Sequence, residues 1–376
     1  MQVNRNLFAF NQQRHVVYKL QMFCLGYLGL YKNNKIDEEV IHLMEKTAVL
    51  LVNLGTPDGP DVASVRTYLK EFLSDRRVID LPKWKWLPIL HSIVLQVRPK
   101  KSAKLYQSIW TNEGSPLMTY CEKQKRALQE RFLHKGIRVS LAMTYGNPSV
   151  AAELDKLHKW GVKRLVVLPL FPQYSSTTTA SIWDKVQRTI SQWRDIPEII
   201  FIRDYPDHPK LIQCLSRRVE HCMIKYGKPD ALVLSYHGIP KRYADTGDDY
   251  PLRCQMTTEA LRSAIPYIDI YESYQSKFGK EEWLEPSTDE TLKSLAKNNK
   301  KHIQIMAPAF TADCLETLEE LGEENKKIFL QNGGEQYHYL MAVNDDPLFI
   351  DCLEDIILAK LPVQQEMNKD VYQVFM

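Results

Sequence analysis

Apolar and polar positions along this 376-residue chain fall into two regimes. Six short runs rich in aliphatic residues end in Gly or Pro punctuation. They are "TAVLLVNLGTP" (47–57), "VSLAMTYGNP" (139–148), "VKRLVVLPLFPQYS" (162–175), "EIIFIRDYP" (198–206), "DALVLSYHGIP" (230–240) and "KHIQIMAPAFTAD" (301–313). Largely continuous apolar character, rather than strict alternation, indicates strands covered on both faces. Between them lie stretches of helical periodicity, including "EKQKRALQERFLHKG" (122–136), "SVAAELDKLHKWG" (149–161) and "ETLKSLAKNN" (290–299). Strand–helix alternation at this spacing predicts parallel βαβ units and doubly wound sheets, the α/β class.

The pattern occurs twice. A Gly-x-Pro ending (Gly55–Pro57) is followed by a Pro-x-Phe ending (Pro169–Phe171), and then Gly238–Pro240 is followed by Pro308–Phe310. Two similar α/β halves are expected, 44–180 and 181–345, with the helical segment 346–361 packing back on the first. Residues 1–43 read as an N-terminal extension ahead of the natural start at Met44. Its most apolar part, 16–31, is interrupted by Lys19 and Gln21 and lacks a small-residue cleavage site, so it reads as neither a membrane span nor a signal peptide.

Composition narrows the picture further. The net charge of +3 is close to balance, and no Lys/Arg block marks a nucleic-acid footprint. The seven cysteines (24, 121, 214, 222, 254, 314 and 352) contain no C-x-x-C pair, which fits free thiols in a cytoplasmic protein.

In doubly wound folds ligands bind outside the carboxyl ends of the strands. His237 stands at such an end, just before the turn forced by Gly238 and Pro240. In "TADCLETLEELGEEN" (311–325), Glu316, Glu320 and Glu324 are spaced i, i+4, i+8, one row on a helix face that also starts from a strand end. A solvated acidic face is the ordinary reading of such a row, and a hydrogen-bonded structural residue that of a lone histidine. Across a cleft, however, imidazole and carboxylate can move protons near neutral pH or hold a divalent metal. No G-x-G-x-x-G, Walker loop or G-x-S-x-G is present, so nucleotide binding and acyl transfer lose support.

Taken in order, "LLVNLGTP", "GSPL" (114–117), "LPLFPQYSSTTTAS", "LSYHGIP", "WLEPSTDETL" and "APAFTADCLETLEEL" resemble the ferrochelatase family, from about Met44 to Leu361. The resemblance implies a chelatase-like pair of Rossmann-like domains that inserts ferrous iron into protoporphyrin IX at the last step of haem synthesis. It implies His237 and Glu316 as the catalytic and metal-approach pair, and Glu320 and Glu324 as a path for protons or metal. Leu54, Arg98, Ser115, Tyr145 and Trp283 match porphyrin-site positions. Iron is then a substrate and no cofactor is permanently bound; with no cysteine after Cys352, the C-terminal [2Fe–2S] cluster of animal enzymes is not expected. Porphyrin and iron are the expected partners, without nucleic acid, for a monomer or homodimer making at most weak peripheral membrane contact.

The chain departs from family patterns at Cys314, a histidine in animal enzymes, and at Thr144, an arginine elsewhere. Asp58 replaces the tyrosine that follows G-T-P in coproporphyrin-using enzymes, which favours protoporphyrin. A coproporphyrin ferrochelatase, a sirohydrochlorin-type chelatase and a non-catalytic tetrapyrrole binder are the alternatives.

Overall fold

The computed structural model describes residues 46–279 and 281–361, and those from Thr47 on belong to one compact unit. The extension 1–43 lies outside the described residues. Among the described residues eight strands run β1 (Thr47–Asn53), β2 (Arg138–Met143), β3 (Arg164–Pro169), β4 (Glu198–Phe201), β5 (Ala231–His237), β6 (Ile270–Gln275), β7 (His302–Met306) and β8 (Gln336–Leu340). They form two parallel four-stranded sheets, ordered β2-β1-β3-β4 and β6-β5-β7-β8. Each half therefore repeats one topology, with its switch point between its first and third strands.

Helices join the strands: α1 (Val62–Leu73), α2 (Lys83–Ile89), α3 (Leu95–Ile109), α4 (Pro116–Phe132), α5 (Val150–Trp160), α6 (Thr179–Ile190), α7 (Pro209–Tyr226), α8 (Lys241–Asp245), α9 (Tyr250–Ala264), α10 (Thr288–Lys297), α11 (Asn325–Gln331) and α12 (Pro347–Leu358). The acidic row is a π-helix, Glu316–Glu324, leading into α11. Among the described residues no helix is long and apolar enough to cross a membrane.

Strand periodicity explains the layers. Along β1, Val49 and Leu51 point into one core while Ala48, Leu50 and Val52 point into another. Along β5, Leu232, Leu234 and Tyr236 share the first core with Val49 and Leu51, whereas Ala231 and Val233 face a separate outer layer. One apolar layer is thus common to both sheets, with further apolar layers on their far faces.

All six expected strands are present. β6 and β8 were not anticipated, because "IYESYQ" and "QYHYL" carry polar residues at intervals. Both are edge strands of the second sheet, where one flank needs no apolar cover. The expected boundary near residue 180 is also corrected: β4 pairs with β3 and completes the first sheet, so that half runs beyond Phe201. Returning from the second half, α12 packs on α4 and α7, with Arg131 of α4 paired to Asp351 and Glu354.

Candidate active site

Four strand ends converge on one large cavity, of about 1170 Å³ empty space including its open mouth. Residues after β1 (Leu54–Thr56), β3 (Leu170, Phe171, Gln173), β5 (Gly238–Pro240) and β7 (Ala309–Ala312) line it, together with His237 and Glu316. These are the strands flanking the two switch points, where a doubly wound sheet opens a crevice. Most of the wall is apolar or aromatic, including Phe72, Tyr106, Leu117, Tyr243, Trp283, Phe310 and Leu315. No Lys or Arg stands among the described lining residues, which do include the imidazole of His237 and the carboxyl of Glu316.

His237 is the last residue of β5. Its Nδ1 lies 2.7 Å from the carbonyl oxygen of Gly238. A carbonyl only accepts, so Nδ1 carries a proton and the neutral ring keeps its lone pair on Nε2. Gly238 allows this tight exit: a Cβ there would sit 2.9 Å from the Gln275 oxygen and 3.1 Å from the Trp283 ring. Glu316 opens the π-helix, whose start is fixed by a buried carboxylate. Asp313 accepts hydrogen bonds from Thr317 Oγ1 at 2.9 Å, Tyr339 OH at 2.6 Å and Asn344 Nδ2 at 2.7 Å.

Gln275, at the end of β6, links the histidine strand to the acidic helix. It accepts from Ser235 Oγ at 2.8 Å and donates to the Glu316 carbonyl at 3.0 Å and to Glu320 at 3.2 Å. Glu320 also accepts from Ser276, at 2.8 Å from the backbone N and 2.5 Å from Oγ. Burial pushes its carboxyl above the ordinary carboxylate range. The Ser276 hydrogen bonds pull it down, as does His237 when its ring is protonated, while Glu316 pushes the same way as burial. Further along, Glu324 is exposed, and it raises Glu319, whose main perturbation is burial. The acids thus run from the cavity to the surface. Beside Glu316 the Cys314 thiol is driven up by burial and then by that carboxylate, so it stays a thiol.

The structure brings together His237, Glu316, Leu54, Ser115 and Trp283 as cavity residues, with Ser115 accepting from Thr56 Oγ1 at 2.9 Å. It does not bring Tyr145 or Arg98 to the wall. Tyr145 follows the edge strand β2, and its buried ring packs edge-on against Phe72. Its hydroxyl donates to Asp75 at 2.8 Å, and burial followed by the Asp75 charge raises its pKa. Arg98 stacks on Phe278 at 4.8 Å. In the Ser/Thr run that leads into α6, Ser175 and Ser176 donate to Asp248. Sequence reasoning passed over Gln275, Tyr68, Phe72 and Tyr106. The helical aromatics carry the same i, i+4 signal as core packing, and Gln275 lies on a strand that was not anticipated.

These features define a class: two-lobed α/β enzymes of chelatase layout, with a histidine and a row of acids at an apolar cleft. Comparison with known proteins agrees. The family model described as Ferrochelatase matches residues 46–361. A coproporphyrin III ferrochelatase of Symbiobacterium thermophilum is 57% identical over 319 residues, 85% of this chain and 100% of that protein. A ferrochelatase of Yersinia enterocolitica is 54% identical over 314 residues, 83% of this chain and 97% of that one. Among solved structures, "SirB from Bacillus subtilis with Fe3+" shares the fold, with a TM-score of 0.51 at 13% identity, covering 83% of this chain and 94% of that chain. The chain belongs to the ferrochelatase family, enzymes that insert metal into a porphyrin.

Proposed function

We propose that this enzyme inserts Fe²⁺ into protoporphyrin IX, with release of two protons, to make protohaem. The observation that carries the choice of porphyrin is the wall of the cavity, apolar and without Lys or Arg among its described residues. Protoporphyrin brings vinyl and methyl edges to such a wall and needs only its two propionates at the open mouth. Coproporphyrin would bring four carboxylates, and a buried carboxylate without a partner is costly. Asp58 supports the same choice: it is exposed, bonded to Asn147 at 3.0 and 3.2 Å, and offers nothing to the cavity.

Insertion needs two pyrrole N–H protons to leave while the cation enters, so net charge at the ring centre is conserved. A rigid two-lobed cleft can hold the macrocycle bent, exposing nitrogen lone pairs on one face. His237 Nε2 is the base for the first proton. Glu316 faces the same space, and protons pass along Glu320 and Glu324 to solvent, or hydrated iron passes inward by the same row. Iron and porphyrin are consumed as substrates, and no resident cofactor enters this scheme. We place the reaction in the cytoplasm, with the chain acting as monomer or homodimer.

Coproporphyrin III as substrate is the second reading, favoured by the name of the Symbiobacterium relative. Initial rates of Fe²⁺ insertion into each porphyrin decide between them. Protoporphyrin should give the higher kcat/KM by about tenfold or more, the scale of one unpaired buried polar group. Faster turnover of coproporphyrin would reverse the assignment, and no insertion into either would sink both.

A further inference from the structure

At the rim of the cleft, α8 of the second half meets the segment between α1 and α2 of the first. The guanidinium of Arg242 is fully engaged there. Its Nη1 and Nη2 bond the two carboxylate oxygens of Asp80, its Nε bonds Glu281, and its Cζ lies over the Tyr243 ring, 4.6 Å from the centroid. The Tyr243 hydroxyl then donates to the carbonyl of Val78 at 3.0 Å. Val78 and Tyr243 both line the cavity, so the tie joins facing pieces of its two walls. Arg242 and Asp80 side chains are 41% and 40% exposed, and an isolated pair so placed would contribute little. Two-pronged geometry, a second carboxylate and a ring stack make it a network, and only a planar guanidinium can serve all three contacts.

We propose that Arg242 is a positioning residue for metal insertion: through Asp80 and Tyr243 it holds the two walls at a fixed separation, so that the cleft bends the ring rather than yielding to it. Arg242 touches no reacting atom. Its effect is mechanical, since a wall that gives way cannot convert binding energy into distortion. The inference rests on the insertion of metal into a porphyrin described above.

The test uses the full-length enzyme, Arg242→Met, Asp80→Asn and the double variant. It measures kcat and KM with protoporphyrin and Zn²⁺, and the out-of-plane resonance Raman bands of bound protoporphyrin without metal. Thermal melts normalise rates to folded protein. Each single change should lower kcat about fivefold without raising KM, the size of a small ion-pair network. The out-of-plane bands should weaken, and the double variant should be no slower than the slower single one. Wild-type rates in both singles, multiplying effects in the double, or unchanged Raman bands would overturn the tie. Should Arg242→Met fail to fold, added NaCl is expected to slow the wild type and leave Asp80→Asn unaffected; equal salt responses would reject the idea. A wild type that inserts no metal refutes the activity itself, a different and separately visible failure.

Discussion

At His237 the two ring nitrogens are placed differently. One is bonded to the backbone and the other is left for chemistry. Replacing it with Ala should reduce metal insertion by about 100-fold or more, the ordinary contribution of a positioned base, while porphyrin still binds. Fluorescence titration with protoporphyrin beside a Zn²⁺ insertion assay checks both halves of that statement. Glu320 gives an independent test. Folded, it holds its proton more tightly than the unfolded chain does. Ionising it as pH rises through the folded value therefore costs stability, and that cost is present at neutral pH and absent below the ordinary carboxylate range. Glu320→Gln removes the cost. Its Tm at pH 7 should hold or rise while turnover falls several-fold; a lower Tm with full activity would make Glu320 a structural residue instead.

Among the elements, the first βα turn runs hard against the end of β2. Gly55 has φ +111°, and a Cβ there would fall 1.8 Å from the carbonyl oxygen of Tyr145. Gly55→Ala should cost about 2 kcal/mol or more, visible as a lowered urea midpoint. This turn also shows what could be read from sequence. Buried strands announce themselves by uninterrupted aliphatic runs, so β1, β3, β5 and β7 and their ends, with His237 among them, were legible. So was Glu316, because it follows a legible strand. The edge strands β2 and β4 keep aliphatic runs and were legible too, whereas β6 and β8 carry polar residues at intervals, which hid them and Gln275. Tyr145 stands behind the described wall for a related reason: β2 is an edge strand, away from the switch point, and its end turns toward Phe72 and Asp75. Periodicity alone also cannot tell an α-turn from the wider π-turn of Glu316–Glu324.

For the whole molecule, the shared layer between the two sheets is the governing feature. Leu51 of one half and Leu234 of the other belong to one core, so neither sheet can lose its packing without exposing the other. Urea unfolding followed by tryptophan fluorescence and by far-UV circular dichroism should therefore give coincident midpoints; separated ones would show lobes that melt alone. Every described lining residue of the cavity lies at position 53 or later. A chain begun at Met44 should keep its insertion rate within about twofold, checked by the same Zn²⁺ assay, and a dead product would show that the first 43 residues take part.

The carbonyl that orients the imidazole belongs to the neighbouring residue, Gly238, and not to the opposite wall. An imidazole held this way carries its own jig: its aim is set within its own strand end and does not depend on what the opposite wall does as a macrocycle enters or a product leaves. Readiness for the next turnover is then stored in a single peptide unit and does not have to be rebuilt each cycle.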